Sequence, residues 1–265
     1  MSLLDHVLSV VLALVLGSTA TAAPPAPPAR PVGDLVLGAD VSWPNCPKGL
    51  GIPARPTQGK PLPGRQARFV VIGLTNGPAF HPNPCLDLQV SDARERGLWA
   101  AAYAVVTYPT RSQLRAHAGR LRAAGTAQAR QNIAAMREVG LDSPVVWVDV
   151  EPVTAPAPWS RSRRANRAVL EGALAAYRAA GLRVGLYSTP HLWREIVGDA
   201  RYGLPEWRTA GLSPRRVARD RCYGPSFQGG EAVLSQWYTS EQDFDLLCPG
   251  APAEEVLATW FTRLG

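Results

Sequence analysis

VVWVDVEP, at residues 145–152, is a valine-rich run that ends in two carboxylates. Side chains along a β-strand point alternately to opposite faces, so Asp149 and Glu151 share one face with Trp147, while valines occupy the other face. A short strand that is apolar on both faces is typical of a parallel sheet covered by helices. We therefore expect the two acids at the carboxyl end of a buried strand, where such sheets carry their functional side chains.

Apolar runs recur on both sides of this strand and alternate with stretches that predict helices. Strands are predicted at 35–41, 69–74, 98–107, 145–151 and 182–187, with weaker strand patterns at 207–210, 217–221, 233–238 and 244–247. Helices are predicted at 86–96, from 110 onward, at 126–139 and at 161–180. The alternation predicts an α/β fold with a parallel sheet, either a barrel or a doubly wound sheet.

The paired acids are the strongest candidates for chemistry. Burying Asp149 beside Glu151 costs free energy unless the two are paired or functional, and like charges at short range raise the pKa of one of them. A neutral carboxylic acid beside an ionised one is what glycoside hydrolysis uses. The alternative is that both acids are solvated at the strand end or paired with arginines. Asp40 ends the first strand in the same way, and Asp245 lies in the last one.

Aromatic side chains near the strand ends are candidates for stacking on sugar rings, with core packing as the alternative for each of them. These residues are Trp43, Tyr103, Trp147, Tyr187 and Trp237.

Composition excludes several functional classes. The 265 residues are 46% hydrophobic, which is enough for a full core and unlike a disordered chain. The formal net charge of +7 comes almost entirely from arginine, and a basic exported protein would concentrate near anionic cell-wall polymers. Codon bias toward Arg and Ala is the alternative explanation. The sequence lacks a Lys/Arg cluster interleaved with aromatics, which would predict nucleic-acid binding. It also lacks a GxGxxG or P-loop motif after the first strand, which would predict a nucleotide ligand.

The amino-terminal region has the features of an export signal. Residues 7–16 are uncharged and apolar, and Ala20-Thr21-Ala22 is a small-x-small cleavage site. We therefore predict a signal peptide at 1–22, a Pro-rich leader at 23–34 and one domain at 35–265, secreted or associated with the cell wall. The apolar run is too short to span a bilayer. Because the segment before it carries Asp5 and no Lys or Arg, an uncleaved anchor is the alternative.

Four cysteines in an exported chain favour two disulfides, for which three pairings exist. We favour Cys46–Cys85 and Cys222–Cys248, because each pair would join loops that follow neighbouring strands. Residues 44–68 are Pro/Gly-rich and too long for an ordinary connection, and Cys46 is expected to pin them. No Cys/His spacing predicts zinc, so neither a metal nor a cofactor is expected.

The order of these motifs resembles the glycoside hydrolase family 25 lysozymes, a family of muramidases, over residues 36–250. The resemblance is carried by Gly38-Ala39-Asp40-Val41-Ser42, by FVVIGLTNG at 69–77, by Asp149-Val150-Glu151, and by Gln236-Trp237 followed by Asp245-Leu246. It implies an irregular, TIM-like (β/α) barrel that forms a single domain.

The resemblance also implies roles for individual residues. In that family the Glu of the Asp-x-Glu motif protonates the glycosidic oxygen, which makes Glu151 the expected general acid. Asp149 would orient the N-acetyl group of the substrate or stabilise developing positive charge. Asp40 and Asp245 would complete the acidic cleft, and Gln236 joins the candidate substrate-binding residues.

The chain also departs from the family pattern. The third strand reads AYAV at 102–105, without the His that commonly follows the Tyr, and the sixth reads WRTA at 207–210 in place of Trp-x-Ala-x-Tyr. The 44–68 insertion and the cysteines are not family hallmarks, so a divergent branch is expected. Two functions stay open: a monomeric, secreted glycosidase that cleaves peptidoglycan or a related cell-wall glycan, or an inactive relative that binds cell-wall polysaccharide through the same cleft.

Overall fold

The computed structural model describes residues 35–152 and 158–264. The predicted signal peptide and Pro-rich leader, at residues 1–34, lie outside the described residues. No helix in the described ranges combines the length and apolar character that a membrane crossing requires.

Strands and helices alternate along most of the described chain. The strands are β1 (Leu37–Val41), β2 (Gly51–Ile52), β3 (Arg55–Pro56), β4 (Phe69–Gly73), β5 (Trp99–Val105), β6 (Val145–Asp149), β7 (Arg183–Ser188), β8 (Glu206–Leu212), β9 (Ala232–Tyr238), β10 (Asp243–Leu247) and β11 (Thr262–Arg263). The helices are α1 (Leu86–Glu95), α2 (Arg111–Ala116), α3 (Leu121–Glu138), α4 (Arg163–Ala179), α5 (Pro190–Ile196), α6 (Arg215–Arg221) and α7 (Ala253–Trp260), with a short 3₁₀ helix at Trp43–Asn45.

Eight strands close into a barrel in the order β5-β4-β1-β10-β9-β8-β7-β6, and β6 pairs back with β5. The predicted α/β, TIM-like single-domain barrel is confirmed. The sheet is not parallel throughout, because β10 runs antiparallel to both β1 and β9. Only residues 239–242 connect β9 to β10, and a parallel connection needs a crossover of a dozen or more residues.

The alternation within β6 separates two apolar layers. Val146 and Val148 pack outward in the cluster that includes the buried faces of α3 and α4, while Val145 and Trp147 point into the barrel. Gly185 lies opposite Trp147 on β7, and a Cβ on that glycine would lie only 2.2 Å from the indole ring. The barrel interior is therefore filled by a large aromatic side chain for which the next strand leaves room.

The predicted strand at 217–221 is wrong, because these residues belong to α6. β9 already pairs directly with β8, which leaves no open strand position between them. α6 instead packs on the outside of these two strands through the fully buried Ala218.

The predicted disulfide pairing is confirmed. Cys46 and Cys85, which follow the neighbouring strands β1 and β4, have Cα atoms 5.5 Å apart. Cys222 and Cys248 have Cα atoms 5.4 Å apart and join the end of α6 to the end of β10. The first bond attaches the 44–68 insertion to the start of α1, which places the insertion at the edge of the barrel mouth.

Candidate active site

A pocket of about 340 Å³ opens at the carboxyl ends of the parallel strands. Four carboxylic acids from three different strands and the residues that follow them line this pocket: Asp40, Asp149, Glu151 and Asp243. The barrel thus brings together three of the four acids that the sequence predicted as catalytic and adds one that it did not.

Asp149 and Glu151 occupy the end of β6 as the sequence predicts. Backbone hydrogen bonds to both neighbouring strands fix this end, from the Val106 amide to the Asp149 carbonyl (3.0 Å) and from the Val150 amide to the Tyr187 carbonyl (3.0 Å). The indole Nε1 of Trp159 donates to the Glu151 carbonyl at 2.7 Å. The two side chains are therefore presented to the pocket from a rigid strand end.

The environment of this pair favours protonated carboxyls. Burial, followed by the charges of Glu151 and Asp40, raises the pKa of Asp149 well above its usual range. Burial also raises the pKa of Glu151, which is the more exposed of the two. The Oδ1 atom of Asp149 is buried with no hydrogen-bond partner among the described residues. The pocket thus holds a carboxyl group suited to giving a proton.

Asp40 is held by an oriented amide. The Nε2 of Gln236 donates to Asp40 Oδ2 at 2.8 Å, while Gln236 Oε1 accepts from the Tyr187 hydroxyl (2.7 Å) and from Thr209 Oγ1 (2.9 Å). Burial and the charge of Asp243 raise the pKa of Asp40 to about 7, although the hydrogen bond from Gln236 opposes this shift. Asp40 can therefore exist in either protonation state near neutral pH.

Asp245 lies one layer below the pocket and does not line it. It is fully buried, and its Oδ1 accepts a hydrogen bond from Trp207 Nε1 at 2.7 Å. Burial, followed by the charge of Asp40, raises the pKa of Asp245 well above its usual range. The structure thus places this residue behind Asp40, where it supports that side chain.

Asp243 occupies the pocket position that the sequence analysis expected of Asp245. Burial raises the pKa of Asp243, and the charge of Lys60 lowers it. Asp243 and Asp245 are two positions apart on β10 and share a face. Because β10 runs antiparallel to its neighbours, its first residue, rather than a later one, is nearest the mouth. The Asp-x-Asp spacing alone therefore does not show which of the two aspartates lines the pocket; the strand direction decides it.

The aromatic candidates divide into two groups. Tyr103, Tyr187 and Trp43 line the pocket, as does Gln236. Trp147 does not, because it lies inside the barrel with its ring 6.4 Å from that of Trp207.

Trp237 is the second predicted aromatic that lies outside the pocket. It points to the other side of β9 and stacks on Phe244, with ring centroids 5.2 Å apart and an interplanar angle of 14°. Arg55, Trp207 and Tyr238 are among the further lining side chains that were not predicted from the sequence. Trp207 and Tyr238 each lie on a predicted strand, but the sequence does not indicate that their side chains point toward the mouth.

Within the described ranges, no group of three or more His, Cys, Asp and Glu side chains has an arrangement suited to a metal ion.

Comparison with known proteins identifies lysozyme-like sequences. The family model for lysozyme-like protein 1 matches residues 94–207, which include Asp149 and Glu151. Lysozyme-like protein 5 of Caenorhabditis elegans is 29% identical over 113 residues, which is 42% of this chain and 49% of that protein. The matched stretch thus spans about half the length of this relative.

Solved structures cover most of the chain. The muramidase from Acremonium alcalophilum superposes with a TM-score of 0.57 at 19% identity, over 84% of this chain and 98% of that one. The bacterial lysozyme from Streptomyces coelicolor gives 0.56 at 18% identity, over 85% and 96%. The family GH25 lysozyme from Aspergillus fumigatus gives 0.56 at 17% identity, over 85% and 99%. At these identities the likeness concerns the fold.

Proposed function

Since the chain folds as a glycoside hydrolase family 25-like barrel of a divergent branch, we propose that it is an exported glycosidase that cleaves peptidoglycan or a related cell-wall glycan. The observation that carries this proposal is the convergence of Glu151, Asp149 and Asp40 on one pocket at the barrel mouth. A barrel of this kind places its chemistry at that end. The names of the matched proteins point to the same polymer.

Glu151 is the general acid in this proposal. It lines the pocket, remains partly accessible, and has a raised pKa because of its burial, so it keeps a proton at a higher pH than a solvated glutamic acid does. As the bond between the anomeric carbon and the glycosidic oxygen breaks, Glu151 gives its proton to that oxygen. Water then supplies a hydroxyl to the anomeric carbon, and its remaining proton restores Glu151.

Asp149 stabilises the reacting sugar. Asp149 lines the pocket, where its carboxyl group would accept a hydrogen bond from the amide of a 2-acetamido group or face the positive charge that develops at the anomeric centre. Because the charge of an ionised Glu151 raises the pKa of Asp149, loss of one proton from the pair makes loss of the second harder. The pair therefore keeps one proton over a wide pH range.

Export is part of the proposal. Two disulfides are typical of proteins that fold in an oxidising compartment. The net charge of +7 favours association with anionic wall polymers. Both features fit a protein that acts outside the cell, in agreement with the signal predicted at residues 1–22.

The test is release of reducing ends from purified peptidoglycan. We expect turnover by the wild-type protein, and we expect Glu151→Gln to lower kcat by about 10²- to 10⁴-fold, because it removes the proton donor with little change of shape. Glu138→Gln is the matched control: the same chemical change on an exposed residue at the end of α3 should leave kcat unchanged.

Equal turnover by wild type and Glu151→Gln would remove Glu151 from the mechanism. Retention of the wild-type protein on insoluble peptidoglycan without any release of reducing ends would instead establish the inactive, glycan-binding alternative.

A further inference from the structure

The 44–68 insertion brings a cation to the acidic pocket. Its two short strands, β2 and β3, pair as an antiparallel hairpin in which Ile52 lies opposite Arg55. Arg55 is the only Lys or Arg among the described residues that line the pocket. The insertion therefore changes the charge pattern of a mouth that is otherwise lined by carboxylic acids.

The backbone of this hairpin is fixed to the barrel by a single buried amide. The Oδ1 of Asn76 accepts from the Ile52 amide at 2.8 Å, and its Nδ2 donates to the Arg55 carbonyl at 3.3 Å. Asn76 is 1% exposed and lies just beyond the end of β4. The Cys46–Cys85 bond holds the start of the same insertion. Arg55 thus emerges from a firmly anchored backbone.

The Arg55 side chain is also positioned. Gly77 has φ of +83°, and a Cβ at this glycine would lie 2.4 Å from Arg55 Cδ, so the arginine stem runs directly over the glycine. The guanidinium lies 5.8 Å from the centre of the Trp43 ring, within the range of a cation–π interaction. Trp43 and Gly77 both line the pocket, so these contacts hold the guanidinium at its rim.

Arg55 has no acidic ion-pair partner among the described residues. None of the ion pairs among the described residues includes it. The pKa of Asp149 is set by burial and by neighbouring acids, and Lys60 is the cation that lowers the pKa of Asp243. A positioned guanidinium with no carboxylate partner, beside a ligand pocket, is arranged to receive an anionic group from a ligand.

We propose that Arg55 is a specificity-determining residue that binds a carboxylate carried by the glycan, so that the pocket prefers carboxylate-bearing sugar chains to neutral ones. This inference rests on the proposed function, because it takes the ligand of the pocket to be a glycan. The planar guanidinium can donate two parallel hydrogen bonds to a carboxylate, which an ammonium group cannot match in geometry. In peptidoglycan the carboxylate belongs either to the lactyl ether of the sugar or to the stem peptide attached to it.

Binding measurements separate this inference from the question of turnover. We would titrate three ligands into the Glu151→Gln protein, which is expected to turn them over far more slowly than wild type. The ligands are a peptide-free oligosaccharide of alternating N-acetylglucosamine and N-acetylmuramic acid, the same oligosaccharide carrying stem peptides, and a neutral N-acetylglucosamine oligomer of equal length. Adding Arg55→Gln should weaken binding of a carboxylate-bearing ligand about tenfold or more and leave the neutral oligomer unaffected. Loss confined to the first ligand identifies the lactyl carboxylate, and loss confined to the second identifies the peptide.

Two further variants control the experiment. Arg65→Gln makes the same charge change at an exposed position of the same insertion, outside the pocket lining, and should leave all three affinities unchanged. Arg55→Lys keeps the charge and should recover only part of the preference. In the active protein, Arg55→Gln should raise KM for the carboxylate-bearing substrate with kcat little changed.

Equal effects of Arg55→Gln on charged and neutral ligands, or no effect on either, would overturn the role of Arg55, as would failure of the chain to bind any of the three. A protein that binds these ligands with the Arg55-dependent preference but releases no reducing ends would overturn the proposed activity alone.

Discussion

Single residues in the pocket are held by hydrogen bonds that also control their protons. Gln236 cannot rotate its amide without breaking the bonds it accepts from Tyr187 and Thr209, so its Nε2 stays directed at Asp40. Asp245 lies behind Asp40, and its side-chain hydrogen bond lowers the pKa of Asp40 and so favours its ionisation. Small side-chain networks of this kind are costly to build, and their energetic signature is a dependence of stability on pH.

For Asp40, this dependence of stability on pH falls within a defined pH range. Its pKa is raised from 3.8 to about 7, so between about pH 4 and 7 the unfolded chain releases a proton that the folded chain retains. The stability that Asp40 contributes is therefore complete below about pH 4 and is lost as the pH rises toward 7. Asp40→Asn cannot ionise, and we expect its Tm relative to wild type to increase steadily from pH 4 to 7 in thermal melts. A Tm difference that is constant across this range would contradict the raised pKa of Asp40.

At the scale of elements, close packing of α3 on α4 depends on two glycines. A Cβ at Gly125 would lie 1.9 Å from the Val169 carbonyl oxygen, and one at Gly172 would lie 2.1 Å from the Arg122 carbonyl oxygen. Thr126 Oγ1 also donates to the Gly172 carbonyl at 3.1 Å. The helix pair therefore approaches backbone to backbone, and it covers the outer face of the strand that carries Asp149.

Gly172→Ala should destabilise the fold by about 1–3 kcal/mol, because the added methyl must displace main-chain atoms of α3. Chemical denaturation would measure this cost. Gly64→Ala is the matched control, since no atom lies within 4 Å of the added carbon, and it should be neutral or stabilise by about 0.4–1 kcal/mol. If both alanines had the same effect, the close approach of the two helices would be refuted.

The sequence predicted elements best where both faces of a strand are apolar. β4 and β6 begin and end within about two residues of the predicted bounds, because their valine- and isoleucine-rich runs have few alternatives. The short RRVARDR run of α6 has no such constraint, and its helical state is decided by packing on β8 and β9.

Besides α6, two further helices were not predicted although part of the signal was present. α5 begins with Thr189 as N-cap, whose Oγ1 accepts from the Leu192 amide at 3.1 Å, and has Pro190 at its first position. α7 has two acids in its first turn, Glu254 and Glu255. Both helices are short, and periodicity is weak over one or two turns, so terminal residues were the better guide.

The sequence predicts those residues of the candidate site that lie at the ends of strands. Asp40, Asp149, Glu151 and Tyr187 reach the pocket because each ends or follows a parallel strand. Asp243 and Arg55 could not be found in this way. The first depends on the direction of β10, and the second reaches the mouth through the fold of an insertion, which periodicity does not describe.

At the scale of the whole molecule, a basic protein carries an acidic pocket. The net charge of +7 favours long-range attraction to an anionic polymer, while burial keeps protons on the carboxyls of the mouth and so reduces their repulsion of such a polymer. The disulfides fix the two segments, the 44–68 insertion and the α6 region, that flank the barrel. The architecture is therefore consistent with capture of a glycan strand followed by chemistry at one rim.

The most direct test is to digest peptidoglycan in water enriched in ¹⁸O and to analyse the released fragments by mass spectrometry. Hydrolysis at the proposed site predicts one ¹⁸O in the anomeric hydroxyl of each new reducing end with the wild-type protein, and almost no labelled fragments with Glu151→Gln. Peptidoglycan that stays intact and unlabelled while the wild-type protein remains bound to it, or equal labelling by both proteins, would contradict the account.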